Sequence, residues 1–159
     1  KPACVVCPIV AGCVARREGI AEHFPVKAPK SEKPMRVGAA FVAMRPDGSV
    51  LLRKRPSSGL LGGMAEVPGS DWTARQDGIT DISAAPFPAA WHATGSIRHV
   101  FTHFALELLV FKADVPDNAS PGDGWWSLPD ALPGEALPTV MKKVIEAAIP
   151  GATKKRRKG

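Results

Sequence analysis

The sequence predicts an α+β domain, a mixed β-sheet flanked by helices, preceded by an irregular cysteine-containing loop and a proline-rich linker. Three observations carry this expectation. Short apolar segments separated by turn residues read as strands, while one segment near the C-terminus has helical periodicity. Sixteen prolines and fifteen glycines in 159 residues supply the turns. All three cysteines fall within the first thirteen residues, and the 45% apolar content is that of a globular core.

The cysteines lie in CVVCPIVAGC as Cys4, Cys7 and Cys13, spaced C-x2-C-x5-C. An odd number cannot close a set of internal disulfides. Without a secretory signal, metal ligation is expected over disulfide formation. Zinc sites and iron–sulfur clusters both usually take four ligands. His23, ten residues after Cys13, stands at no familiar spacing. The fourth ligand is therefore absent or lies upstream, with a zinc knuckle completed by His23 as the weaker alternative. The chain begins at lysine and meets this cluster at once, as expected of a fragment whose N-terminal part is missing. Arg16 and Arg17 either close a short helix or meet phosphates. Residues 1–22 are assigned to this loop.

Residues 23–36 read as a connector. Pro25, Pro29 and Pro34 interleave with Lys27, Lys30 and Lys33, which makes a stiff basic linker. Charge is distributed unevenly: residues 1–36 carry a net +4, residues 37–153 a net −3, and Lys154–Lys158 add +5. Basic ends of this kind attract phosphate backbones by counterion release, or are solvated tails that aid solubility. No run approaches the roughly 18 apolar residues a membrane span needs, so no membrane association is expected.

Residues 37–150 form the main domain, followed by a basic tail at 151–159. Val37–Met44 is small and apolar, as in a strand buried on both faces. Arg45-Pro46-Asp47-Gly48 has the chemistry of a turn. Val50–Arg55 returns as a strand with Arg53 and Arg55 on one face. Gly59–Gly69 is a glycine-rich turn or strand. Ile97–Phe101 and Phe104–Phe111 form another strand pair, with Phe104, Leu106, Leu108 and Val110 sharing a face. Gly124–Leu128 is a short strand. Leu137–Ala148 is an amphipathic helix with proline near its start, burying Val140, Val144, Ile145 and Ala148. The four tryptophans, Trp72, Trp91, Trp125 and Trp126, supply core bulk in a chain without tyrosine.

The order DGSVLLRKRP…GLLGGMAEVPG resembles the opening of the Nudix fold. A working Nudix hydrolase carries R-E-x-x-x-E-E on a helix, and its carboxylates hold Mg²⁺, a hard cation that takes oxygen ligands. Here residues 70–91 contain no glutamate, only Asp71, Asp77 and Asp81. Glu66 alone cannot make that site. The resemblance therefore implies a Nudix-like scaffold without hydrolysis, and no Mg²⁺ is expected.

Taken together, CVVCP…C, LLRKRPSSGLLGGMAEVPG, RHVFTHFALEL and LPTVMKKVI resemble, in that order, the adenine DNA glycosylases of the MutY type. That family's iron–sulfur loop is C-x6-C-x2-C-x5-C, and Cys4, Cys7 and Cys13 correspond to its last three positions. The resemblance implies a 4Fe–4S cluster in the full-length protein, with three of its four ligands here. It also implies base-excision repair: adenine opposite 8-oxoguanine is removed by an N-terminal glycosylase domain that is missing from this chain. A C-terminal domain recognises 8-oxoguanine in double-stranded DNA. The family's F-S/T-H loop corresponds to Phe101, Thr102 and His103. Thr102 would meet N7–H or O8 of the lesion, Phe101 would wedge beside it, and His103 would contact phosphate or support the loop. Arg53, Arg55, Arg16 and Arg17 are the candidate backbone contacts, with a solvated strand face as the plainer reading of Arg53 and Arg55. The fragment itself is not expected to be catalytic, and a bacterial cytoplasmic, nucleoid-associated location follows.

Two other readings stay open. One is a free-standing Nudix hydrolase acting on oxidised nucleoside diphosphate derivatives. The other is a non-enzymatic adaptor in which Pro25–Pro34 docks a repair protein.

Overall fold

A computed structural model describes residues 1–26 and 32–154. The chain divides into two compact units, Lys1–Glu32 and Lys33–Gly159. Pro29, Lys27 and Lys30 of the connector and Lys155–Lys158 of the tail lie outside the described residues.

The first unit is built of single turns. Cys4–Val6, Val10–Gly12 and Ala21–His23 are 3-10 turns, and α1 is one turn of helix at Val14–Arg17. None of these elements buries a residue. Val5, Val6 and Ile9 are more than two-thirds exposed, so burial of apolar surface contributes little to holding this unit together. Arg16 Nη1 donates to the Cys4 carbonyl at 3.1 Å, tying the helix end to the first turn.

The second unit is a mixed six-stranded sheet. Its strands are β1 (Met35–Met44), β2 (Val50–Lys54), β3 (Ala65–Glu66), β4 (His92–Val100), β5 (Ala105–Asp114) and β6 (Trp125–Ser127). The order is β3-β2-β1-β5-β4, with β6 pairing β2. β1 and β5 run parallel from Met35 opposite Ala105 to Met44 opposite Asp114. Such a central pair is buried on both faces, and Ala39–Ala43 of β1 are all within 1% of full burial.

The strand–turn–strand order of Val37–Arg55 predicts a hairpin, and β1 and β2 do pair antiparallel across the turn. They meet only at Met44 and Val50, where Asp47 Oδ1 accepts from Ser49 N and Ser49 Oγ and Gly48 takes φ +81°. Beyond the turn the strands part, because Val67–Ser70 occupies the hydrogen-bonding edge of β1: Phe41 N donates to Pro68 O and Ser70 N to Ala39 O. Gly69 is required there, since a Cβ would stand 2.8 Å from the Ala39 carbonyl. This wedge opens the space in which the site below lies.

α2 (Thr139–Ala148) covers one sheet face. Pro138 precedes it and its carbonyl accepts from Met141 N and Lys142 N, a position where proline's missing N–H costs nothing. Val140, Met141, Val144 and Ile145 pack with Phe104, Leu106, Leu108 and Val110 into the main core. Each such side chain contributes roughly 1.5–3 kcal/mol by burial. Met141 joins the expected apolar stripe, while Ala148 packs only at its margin.

The opposite face is covered by coil. Residues 71–91 contain no α-helix and one 3-10 turn, Ile82–Ala84, capped by Asp81. Phe41 stacks on Phe111 at 5.4 Å and meets Trp91 edge-on at 5.2 Å.

Candidate nucleic-acid interface

β4 and β5 are joined by a tight hairpin closed by Phe101 N donating to Phe104 O at 2.8 Å. Thr102 and His103 form its tip, and both are exposed. Phe101 stacks on Phe104 with ring centroids 4.7 Å apart, receives His99 edge-on at 4.7 Å, and lies 6.3 Å from Trp72. The Phe101 ring, which the resemblance sets beside the lesion, is half-buried here and packs in the aromatic stack at the base of the loop. Phe101 and Phe104 face one another across the hairpin closure, which sets both rings on one side with Trp72 nearby. His99 Nδ1 is buried without a hydrogen-bond partner among the described residues. Burial first, and the charge of Lys143 second, hold its imidazole below the usual histidine range.

Behind the stack lies a cavity of about 360 Å³ lined by Arg53, Arg55, Glu66, Ser70, Trp72 and Asp123, among others. Glu66 is 4% exposed. Arg53 Nε donates to its Oε1 at 2.9 Å, and Arg55 Nη1 donates to its Oε2. Arg53 Nη2 also reaches Gly69 O at 3.3 Å, and Arg55 Nε reaches Leu60 O at 3.2 Å. The Arg55 guanidinium lies 5.2 Å above the Trp72 ring, a cation–π arrangement. Arg53 and Arg55 do share a face, as the alternation predicts. That face is only partly solvated, and neither guanidinium is left to water alone. The strand pairing sets Arg53 opposite Glu66, so both guanidiniums are engaged by a buried carboxylate that would be intolerable unpaired. Sequence reasoning missed Glu66 and Trp72 as parts of this constellation. An Arg-x-Arg strand followed by a lone glutamate amid apolar residues was the available signal.

Arg16 and Arg17 occupy the last turn of α1 and are exposed; they belong to the first unit. In that unit Cys4, Cys7 and Cys13 are free and half-buried. Among the described residues no three His, Cys, Asp or Glu side chains are gathered where they would hold a metal ion. Three thiolates are one short of the four that a zinc or iron–sulfur centre takes. By themselves they do not fit such a group.

A parallel β1–β5 pair, a wedge at Val67–Ser70 and α2 over the core together define a fold class, and residues 39–147 match the family model of the NUDIX domain. The chain belongs to the Nudix domain family. Within that family its likeness extends to a particular kind of protein. It is 28% identical over 138 residues to the human adenine DNA glycosylase, covering 77% of this chain and 25% of that protein. The chain thus spans about a quarter of the length of that relative. The C-terminal domain of mouse MUTYH, solved in complex with human PCNA, superposes with a TM-score of 0.56 at 25% identity, over 70% of this chain and 86% of that one. The Nudix domain of Shewanella oneidensis NrtR, solved with ADP ribose, shares the fold, with a TM-score of 0.56 at 19% identity over 80% of this chain and 95% of that one. No helix among the described residues is long and apolar enough to cross a membrane.

Proposed function

We propose that this chain is the lesion-recognition part of an adenine DNA glycosylase of the MutY type, reading 8-oxoguanine opposite a misincorporated adenine in double-stranded DNA. One observation carries the reading: a hydroxyl and an imidazole, Thr102 and His103, stand exposed at the tip of a hairpin whose base is locked by the stacked Phe101 and Phe104 rings. Oxidation turns guanine N7 from an acceptor into an N–H donor and adds an oxygen at C8. A threonine hydroxyl accepts one bond and donates another, so Thr102 suits either new group. A good bidentate base contact is worth about 1–3 kcal/mol of discrimination. His103 serves as a phosphate contact or a support of the tip.

On this reading, base removal belongs to a glycosylase domain outside this chain, and the chain alone binds without cutting. Cys4, Cys7 and Cys13 are then three of the four ligands of a 4Fe–4S cluster completed by that domain. The working place is the nucleoid in a bacterial cytoplasm. Arg16 and Arg17 are the better placed of the four arginines to meet phosphates, because Arg53 and Arg55 are held by Glu66. The test is fluorescence anisotropy with duplexes carrying 8-oxoguanine:adenine or guanine:adenine. Tighter binding of the lesion duplex is expected, and Thr102→Ala should shrink that preference more than it lowers overall affinity. Equal affinity for the two duplexes would sink the reading.

The cavity behind Arg53, Arg55 and Trp72 favours a second reading, a hydrolase of oxidised nucleoside diphosphate derivatives. Against it, residues 70–91 contain no glutamate and no α-helix, so the carboxylates that would hold Mg²⁺ are missing. Mg²⁺-dependent release of pyrophosphate from a nucleoside triphosphate would restore it.

A further inference from the structure

The hairpin backbone leading up to the tip is held from outside the hairpin by two lysines. Lys143 Nζ, on α2, donates to the Arg98 carbonyl at 3.0 Å. Lys33 Nζ, just before β1, donates to the Phe101 carbonyl at 2.7 Å. β4 is the last strand of the sheet, so one of its edges has no neighbouring strand to take up its carbonyls. Both lysines are themselves firmly based. Lys143 sits between the buried Met141 and Val144. Lys33 is followed by Pro34, whose carbonyl accepts from Ala105 N at 3.0 Å and so ties the segment to the start of β5. An ammonium–carbonyl bond is charge-assisted and stronger than a neutral one.

We propose that Lys33 and Lys143 are positioning residues for the recognition loop: together they fix the backbone of Arg98–Phe101 and so set the direction in which Thr102 and His103 are presented. The proposal rests on the lesion-recognition reading for its consequence in binding, though its structural content stands apart from it. Two exposed lysines beside a DNA-binding loop have an obvious rival role as phosphate contacts. The roles differ in outcome, because a phosphate contact raises affinity for every duplex and adds to the salt dependence, whereas a brace acts only through the loop.

The test uses the whole chain with Lys33→Met, Lys143→Met and the double variant, and with Lys→Arg at each position as the conservative rescue. Both side chains are exposed, so the fold should persist; urea unfolding checks that it does. Each Met variant is expected to lower the lesion-over-undamaged preference about three- to tenfold without changing the slope of affinity against salt, and arginine should restore the preference. Amide NMR of the free chain should show faster motion at Thr102, His103 and Phe104 in the Met variants, with the sheet unchanged. Equal loss on both duplexes with a salt slope lower by about one per lysine would overturn the proposal in favour of phosphate contacts. Unchanged loop amides would overturn it whatever the DNA data show. If the wild-type chain shows no lesion preference while the loop amides still loosen, the functional reading fails and the brace stands.

Discussion

The rings of Trp72 and Phe101 stand 6.3 Å apart, so one tryptophan serves both as a wall of the cavity and as a prop of the β4–β5 hairpin. Trp72 is 6% exposed, with Gly38 packed so closely beneath it that a Cβ there would meet Trp72 Cδ1 at 2.9 Å. Trp72→Ala should cost about 3–5 kcal/mol, as large-to-small changes in cores do. Phe101→Ala should cost less, since its ring is half-buried. Because the two rings touch a common stack, their double-mutant cycle in urea unfolding should give a coupling of roughly 0.5–1.5 kcal/mol. Strict additivity would show that the cavity wall and the hairpin are energetically separate.

Glu66 is the single carboxylate shared by Arg53 and Arg55. Truncating it leaves two cations partly desolvated against an apolar wall. Breaking a buried pair by removing one partner costs about 3–5 kcal/mol. With Arg53 still 41% exposed at its side chain, solvent relieves part of that. Glu66→Ala should therefore destabilise by about 2–3 kcal/mol in urea unfolding, at or below the lower end of the range for a fully buried pair. Arg55→Met in the same background should recover part of the loss, because it removes one of the stranded charges. A Glu66→Ala chain as stable as the wild type would mean that the triad contributes nothing.

The parts of this fold that were legible in the sequence are those with one dominant local rule. β5 reads directly from alternation, and α2 from the spacing of Val140, Val144 and Ile145. The Asp47–Gly48 turn reads from residue chemistry. Three features were not legible because non-local geometry decides them. β1 and β2 part after one residue pair, since the edge of β1 is taken by Val67–Ser70 in place of β2. Arg53 and Arg55 look like solvent-facing charges until β3 is laid beside β2. The contact of Phe101 with Trp72 joins two segments far apart in the chain, so no local pattern announces it. The break between the two strands at Thr102 and His103 was legible, but the lysines that bond the hairpin backbone lie outside the hairpin.

Leu61 takes φ 59°, a left-handed conformation that costs an L-residue roughly 1–2 kcal/mol. It also packs against the main core. Leu61→Ala loses the packing and keeps the strain. Leu61→Gly loses the same packing and relieves the strain, at an entropic cost of about 0.5–1 kcal/mol. The glycine variant should therefore be as stable as the alanine variant or more so, by up to about 1.5 kcal/mol. A comparison of the two urea midpoints decides it. A clearly less stable glycine variant would show that the backbone strain is absent.

Acid should destabilise the chain in two separate pH windows. Burial, and secondarily the charge of Lys143, lower the His99 pKa below the ordinary histidine value of 6.5. Unfolded His99 then binds a proton at a pH where folded His99 does not, so stability falls as pH drops from about 6.5 towards the folded value. Above 6.5 both states are neutral and this contribution is flat. Glu146 behaves at lower pH. Burial pushes its carboxyl up, but hydrogen bonds from Thr153 and Gly151 and the charge of Lys154 more than offset this, leaving it below 4.5. It accepts from Gly151 N at 2.7 Å and from Thr153 N at 2.8 Å. Its contribution is complete above 4.5 and is lost as pH falls through the folded value. Asp47, lowered chiefly by the Ser49 hydroxyl, adds to the same low window. Urea midpoints measured from pH 8 to pH 3 should therefore decline first near 6.5 and again below 4.5. His99→Leu should abolish the upper decline and spare the lower, and Glu146→Gln should weaken the lower decline and spare the upper. An upper decline that survives His99→Leu would assign it to another group.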